Sequence, residues 1–312
     1  VDVIRYPDAE RPASWREPVI ALGNFDGLHR GHMAIIERVV ASAGRAGRTA
    51  ALLTFDPHPR RVTGSEHAPR LLMTTRGKLE ALESSGLDGV AIVGFTRELS
   101  LWSPEQFVST VLVDWLDVSE VWVGANFLFG RDRAGDVKTL QTLGQRYGFR
   151  AERVESVLHN GTVVSSTRIR ELAADGRVEE AADLLGRWHG VDGTVVRGDG
   201  RGRQIGFPTA NLDSDAELWP RTGVYATFVG AAGAEWPAVT NIGCHPTVGA
   251  CAEPVIETHL LEGGRDLYGQ SLRVSFVARL RDERAFDSVD ALTTQIADDC
   301  QRARILLKRF SV

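Results

Sequence analysis

Cysteine is scarce in this 312-residue chain: Cys244, Cys251 and Cys300, with no Cys-x-x-Cys pair. That number and spacing exclude a disulfide framework and a cysteine-built zinc site. No apolar run approaches the roughly 18 residues needed to span a bilayer, and the opening VDVIRYPDAERPASW has no apolar core of signal-peptide length. The basic excess typical of nucleic-acid binders is missing too. Lys and Arg number 36 against 41 Asp and Glu, for a net charge of −5. Division at residue 185 leaves both parts mildly acidic, with 22 basic and 25 acidic residues before it and 14 and 16 after it. Internal repeats and low-complexity segments are absent. These absences predict a cytoplasmic protein in a reducing setting, with no nucleic-acid or membrane partner. Weak homo-oligomerisation is left open.

What is present is ordinary globular composition, 43% hydrophobic and 25% charged, in a length that favours two domains. The first part alternates short apolar runs with helical patterns. VIALGN (19–24), AALLTF (50–55), VAIVGF (90–95) and SEVWVGA (119–125) read as buried strands. Helices are expected near 31–43, from Lys78 to Ser84, from about Pro104, from Ser166, and over 178–186 with Gly186 as the stop. Continuous apolar strands separated by helices predict a parallel sheet, hence an α/β fold. Past Gly186 the texture changes to β-rich runs at 191–197, 223–229, 237–242, 255–261 and 272–280, separated by Gly and Pro clusters. Short strands at this spacing predict a small antiparallel barrel or sandwich. A closing amphipathic helix presents Val289, Leu292, Ile296, Ile305 and Leu306 as its apolar positions. The domain boundary is placed near 185–189.

GNFDGLHRGH (23–32) follows a strand and opens a helix. Helix N-termini attract anions, and Gly23 and Gly27 let the backbone turn tightly against a phosphate. His29 and His32, three apart, share a face of the first turn and can donate to a phosphate. The stretch lacks GxGxxG, and GxxxxGK[ST] occurs nowhere, so neither a dinucleotide fingerprint nor a P-loop applies. Zinc ligation by the two histidines is the weaker alternative, with His58 or an acid as third ligand. VSSTRIR (164–170) supplies a second anion site: Ser165 and Ser166 can cap a helix whose first turn carries Thr167, Arg168 and Arg170. A capped surface helix with solvated arginines explains the same residues equally well.

In the second part, GDGRGRQIGFPTANL (198–212) offers glycines for a phosphate-cradling loop, the charges of Arg201 and Arg203, and oxygen ligands of the kind Mg²⁺ prefers on Thr209 and Asn211. A surface loop followed by a strand is the bland alternative. For Glu257, sequence alone favours a solvated strand glutamate.

GNFDGLHRGH resembles the GxFDGxHxGH signature of the nucleotidyltransferase superfamily. With TFDPHP (54–59), GANFLFG (124–130) and VSSTRIR in order, the first part resembles the adenylyltransferase module of the bacterial bifunctional riboflavin kinase/FAD synthetase family. GFPTANL (206–212), NIGCHPT (241–247), VIETHLL (255–261), DLYG (266–269) and RLRDERAFDSVDALTTQI (279–296) resemble its kinase module. The resemblance spans nearly the whole chain. It implies a Rossmann-like nucleotidyltransferase domain with a parallel sheet over 1–185. A small six-stranded antiparallel β-barrel kinase domain with a C-terminal helix would follow over 186–312. It further implies that Gly23, Phe25 and Gly27 form an ATP-binding turn, that His29 and His32 contact the ATP phosphates, and that Asn126 positions nucleotide and flavin. Ser166, Thr167 and Arg170 would hold the triphosphate. In the kinase, Gly202 and Gly206 would shape the phosphate loop, Thr209 and Asn211 would bind Mg²⁺, and Glu257 would be the general base.

The implied substrates are riboflavin, FMN and ATP, and the products FMN and FAD. Three departures from the family pattern stand out: His245 before the Pro-Thr pair, the Glu262-Gly263-Gly264 run, and His189 where Tyr is usual. Altered affinity, not lost kinase activity, is expected from the first two. Transfer to another phosphate monoester would leave the kinase motifs without a purpose, and a flavin-binding regulator without catalysis would not need the histidine pair, Thr209, Asn211 and Glu257. RNA binding through Arg201 and Arg203 is disfavoured by the acidic balance of the module.

Overall fold

The computed structural model describes residues 1–64, 68–198, 200–231, 233–244, 254–262 and 265–310. His245, Cys251, Gly263 and Gly264 lie outside the described residues. By internal contacts the chain forms two compact units, one of residues 1–69 and 75–165, the other of residues 70–74 and 166–312.

In the first unit, β1 (Asp2–Tyr6), β2 (Val19–Leu22), β3 (Ala50–Asp56), β4 (Gly89–Gly94), β5 (Glu120–Gly124) and β6 (Arg150–Val154) build one sheet in the order β1-β4-β3-β2-β5-β6. Every neighbouring pair is parallel. The sequence pattern predicted this, because β2, β3 and β4 are apolar and buried almost throughout. The helices are α1 (Arg30–Ala46), α2 (Pro59–Val62), α3 (Thr75–Leu82), α4 (Pro104–Phe107), which runs on as a π-helical segment Val108–Trp115, and α5 (Val137–Tyr147). A short hairpin, β7 (Leu158–His159) and β8 (Thr162–Val163), follows. Ile20, Leu22, Ala51, Leu53, Val93, Val111, Leu112 and Leu140 sit in the core. Gly89 admits Trp15 at the start of β4: a Cβ there would fall inside the indole.

The order has a switch point. From β2 the chain moves outward through β3 and β4, then crosses to β5 on the other side of β2. Ligands of such sheets bind outside the carboxyl ends of the strands at that point. The turns leaving β2 and β5 carry Gly23–His29 and Asn126.

In the second unit, α6 (Ser166–Ala174) and α7 (Val178–Leu185) precede the barrel, and Gly186 ends α7 in the left-handed conformation, its N–H bonded to the Ala182 carbonyl. Six strands then close: β9 (His189–Val196), β10 (Ala210–Asp213), β11 (Gly223–Ala231), β12 (Ala234–Cys244), β13 (Pro254–Leu260) and β14 (Ser271–Arg281), in the order β10-β13-β12-β11-β14-β9, with β9 paired to β10. All these pairings are antiparallel. α8 (Arg201–Gln204) lies between β9 and β10, and α9 (Val289–Leu307) ends the fold.

Alternate residues point inward. Val191, Leu212, Tyr225, Val229, Ile242, Ile256, Val274 and Phe276 form one cluster, which Val178 of α7 joins. Within this interior three buried hydroxyls satisfy one another across β11, β12 and β13: Thr227 to Thr240 at 2.8 Å and Thr240 to Thr258 at 2.9 Å. The outward residues Val224, Ala226, Phe228, Val239 and Val277 pack against Cys300, Ala303 and Leu307 of α9.

The apolar face predicted for α9 is corrected in part. Ile296 and Leu306 do pack on the barrel, but Val289 and Ile305 are 60% and 59% exposed. The buried stripe runs through Cys300, Ala303 and Leu307 instead. The small side chains at 300 and 303 admit a close approach, and the buried Asp299 carboxylate pairs with Arg281 at 2.8 Å, fixing the rotation of the helix.

His189 lies wholly inside, stacked on Phe276, with Nε2–H donating to the Leu218 carbonyl at 3.3 Å. Burial above all, opposed by the Leu218 bond and aided by the Arg273 and Arg187 charges, brings its pKa down to about 4. The folded state therefore holds His189 neutral where the unfolded chain, near 6.5, takes up a proton. Stability from this group is complete above about pH 6.5 and is lost as the pH falls towards 4. Calorimetry at pH 7 and pH 5 is expected to show the barrel melting lower at pH 5, with a smaller difference in His189→Phe.

Candidate functional site

The turn after β2 is held in an uncommon conformation. Phe25, Gly27 and Leu28 have φ of 48°, 86° and 41°. Glycine takes this region freely, but Phe25 and Leu28 pay a steric cost of order 1–3 kcal/mol each. Both side chains are buried, so core packing holds the turn in place. It delivers His29 as the N-cap of α1. The Nδ1 of His29 accepts the His32 backbone N–H at 3.2 Å, which places the ring proton on Nε2. The two imidazoles stack at 3.6 Å with 13° between planes, and the Phe25 ring stands edge-on to His32 at 5.1 Å. No acidic residue lies in the first turn of α1. The result is a helix N-terminus carrying Arg30 and two histidines, suited to an anion. The Val164 carbonyl stands 3.8 Å from the point where a Cβ on Gly31 would be.

Gly23 is half-buried, and a Cβ there would press on the Phe25 ring at 3.3 Å. Asn126 is exposed in the turn after β5. His58, the zinc alternative's third ligand, instead caps α2 by accepting the Arg60 N–H through Nδ1. Among the described residues no group of three or more His, Cys, Asp and Glu is placed to hold a metal ion.

Ser166, Thr167 and Arg170 belong to the second unit, in the first turns of α6. Thr167 is exposed and the other two are half-buried. Arg170 Nε donates to the Arg70 carbonyl at 2.8 Å, and Arg168 pairs with Glu171 at 3.1 Å.

The kinase motif residues gather on the barrel's outer side. Gly200 opens α8 at φ 71° and Gly206 follows it at φ 86°. A Cβ on Gly202 would overlap the Phe207 carbonyl and stand 3.2 Å from Thr209 Oγ1. A Cβ on Gly198 would overlap the Asn211 amide. The loop therefore closes on Thr209 and Asn211 only because both positions are glycine. Strand register places Asn211 directly opposite Glu257, and Glu257 opposite Asn241, so the three stand in a row across β10, β13 and β12. Each alternates with inward residues, such as Ile256 and Thr258 around Glu257, so the row points outward. The Asn241 amide and the Glu283 carboxylate both lie over Gly243.

Asn241 and Glu283 lie within the NIGCHPT and RLRDERAFDSVDALTTQI motifs, but neither motif by itself gives its residue a place in the site. The pairing of β12 with β13 places Asn241 beside Glu257, and the approach to Gly243 brings Glu283 to it.

Comparison with known proteins adds the decisive observation. Residues 11–168 match the family described as FAD synthetase, and residues 185–307 match riboflavin kinase. A bifunctional riboflavin kinase/FMN adenylyltransferase of Pseudomonas fluorescens is 40% identical over 92% of each chain.

The chain belongs to the bifunctional riboflavin kinase/FMN adenylyltransferase family.

Members from Escherichia coli K12 and Bacillus subtilis are 38% and 35% identical, covering 92% and 91% of this chain. A solved Streptococcus pneumoniae structure described as a macrolide-efflux protein superposes with a TM-score of 0.87 at 27% identity, covering 97% of this chain and 99% of that one. Among the described residues of this family member, no helix is long and apolar enough to cross a membrane.

Proposed function

We propose that this chain makes FAD from riboflavin in two successive transfers, with residues 186–312 carrying the first and residues 1–185 the second. The observation that carries the reading is the match of one chain, in order, to both family domains, with a bifunctional relative 40% identical over 92% of each chain.

In the first transfer the ribityl 5′-hydroxyl of riboflavin attacks the γ-phosphorus of ATP. A new P–O bond forms, the bond to the β-phosphate oxygen breaks, and ADP leaves. Glu257 takes the hydroxyl proton, a role its outward place in the row with Asn211 and Asn241 supports. Glycines 198 and 202 let Thr209 and Asn211 approach the phosphate loop. The hydroxyl and amide oxygens of those two residues, packed where a Cβ would otherwise sit, fit a hard cation such as Mg²⁺. Bound Mg²⁺ supplies charge neutralisation on the transferring phosphates.

In the second transfer an FMN phosphate oxygen attacks the α-phosphorus of ATP, and pyrophosphate leaves. His29 and His32 at the α1 N-terminus contact the ATP phosphates, Gly23, Phe25 and Gly27 shape the turn that admits the nucleotide, and Asn126 orients the substrates. Ser166, Thr167 and Arg170 hold the triphosphate. Such chemistry needs positioning and charge stabilisation, which a helix N-terminus with two imidazoles supports.

Incubation with riboflavin, ATP and Mg²⁺ tests the reading: FMN and FAD are expected, and a protein that yields neither would sink it. Gly198→Ala is expected to raise the kinase KM for ATP by about tenfold or more, since the added methyl displaces Asn211. Adenylylation of supplied FMN by the same variant should stay at the wild-type rate in a coupled pyrophosphate assay.

A further inference from the structure

Lys78 is a lysine where an ordinary α/β fold has no need of one. It lies in the middle of α3, 8% exposed, with its side chain directed under the Gly23–Leu28 turn. Its Nζ donates to the Asn24 carbonyl at 2.7 Å and approaches the Thr54 hydroxyl at 3.3 Å. Thr54 Oγ1 donates to the same carbonyl at 3.0 Å. One backbone oxygen thus receives two donors, from α3 and from the end of β3.

Burying an ammonium is costly, and burial lowers the pKa of Lys78 while the Asp26 and Asp56 charges oppose the shift. A Met or Leu of similar reach would fill the space without that cost. The return is local. The fixed carbonyl belongs to the peptide that enters Phe25, the first of the left-handed positions in the turn. A turn strained at Phe25 and Leu28 has nearby alternatives, and an anchored peptide at its start excludes them. The same turn sets His29 as the α1 cap and His32 as its stacked partner.

We infer that Lys78 is a positioning residue for adenylyl transfer: with Thr54 it pins the Asn24 peptide and thereby fixes the placement of His29 and His32. The inference rests on the reading of those histidines as the ATP phosphate contacts.

Full-length Lys78→Met, Thr54→Val, Thr54→Ser and His32→Ala are to be assayed for FAD formation from FMN and ATP, with melting temperatures measured in parallel. Lys78→Met is expected to lose about tenfold or more in kcat, with KM for FMN within twofold of wild type. Thr54→Val should lose about threefold or more in kcat, and Thr54→Ser, which keeps the hydroxyl, should recover it. A lowered melting temperature with wild-type kcat in Lys78→Met would make the residue merely structural and overturn the inference. If Lys78→Met does not fold, the Thr54 pair decides: equal kcat in Val and Ser variants also overturns it. Full adenylylation in His32→Ala would instead overturn the histidine reading itself, which keeps the two failures apart.

Discussion

Glu257→Gln is expected to lower riboflavin phosphorylation by about 10²- to 10⁴-fold, the usual contribution of a positioned general base. Gln has the same size and can still hydrogen-bond, so the row Asn211–Glu257–Asn241 keeps its geometry and only the proton acceptor is removed. Glu257 faces out from a strand whose inward neighbours Ile256 and Thr258 hold the barrel together. The melting temperature of the variant should therefore be close to wild type. FAD formation from supplied FMN should persist. Chromatography of the flavin products separates the outcomes: loss of both activities in a folded variant would break the division of labour.

The complementary change is at the α1 N-terminus. His32→Ala is expected to reduce FAD synthesis by about 10²- to 10³-fold, the range for removing one donor to a developing oxyanion, and to leave FMN synthesis untouched. His29 needs a different substitution, because its Nδ1 also caps α1. Alanine there would mix a capping loss of about 1 kcal/mol with any loss of chemistry. Asn is a good N-cap, so His29→Asn keeps the helix start and removes only the imidazole. A drop in adenylylation in His29→Asn with an unchanged melting temperature would assign the loss to the ring. Unchanged adenylylation would reduce His29 to a cap.

Much of this fold is legible in the sequence, for a physical reason. Strands buried on both faces have to be apolar throughout, so β2, β3 and β4 declare themselves as VIAL, AALLTFD and GVAIVG. Shorter or edge strands do not. β1 and β6 lie at the sheet edges and carry exposed, charged residues, and β10 is only ANLD. The periodicity therefore gave five barrel strands, and the sixth came only from the resemblance. The phase of α9 was misplaced at Val289 and Ile305 because large apolar residues dominate such a reading, whereas close helix–barrel contact uses the small Cys300 and Ala303.

The site was legible at its motifs and illegible between them. GNFDGLHRGH and GFPTAN are local, and a contiguous stretch can display them. The alignment of Asn211, Glu257 and Asn241 depends on the register of three strands, which no local pattern contains. Lys78 was hidden more deeply. A lysine in a helical pattern reads as solvent-facing, and only tertiary packing shows it buried under the turn.

The most direct test of two separate sites acting in sequence is complementation in solution. Glu257→Gln and His32→Ala are each given riboflavin, ATP and Mg²⁺, alone and mixed, and the flavins are resolved by chromatography. Alone, Glu257→Gln should leave riboflavin unchanged and His32→Ala should stop at FMN. The mixture should make FAD, because FMN released by one protein is adenylylated by the other. A mixture that accumulates FMN and makes no FAD, with both variants folded, would contradict the account.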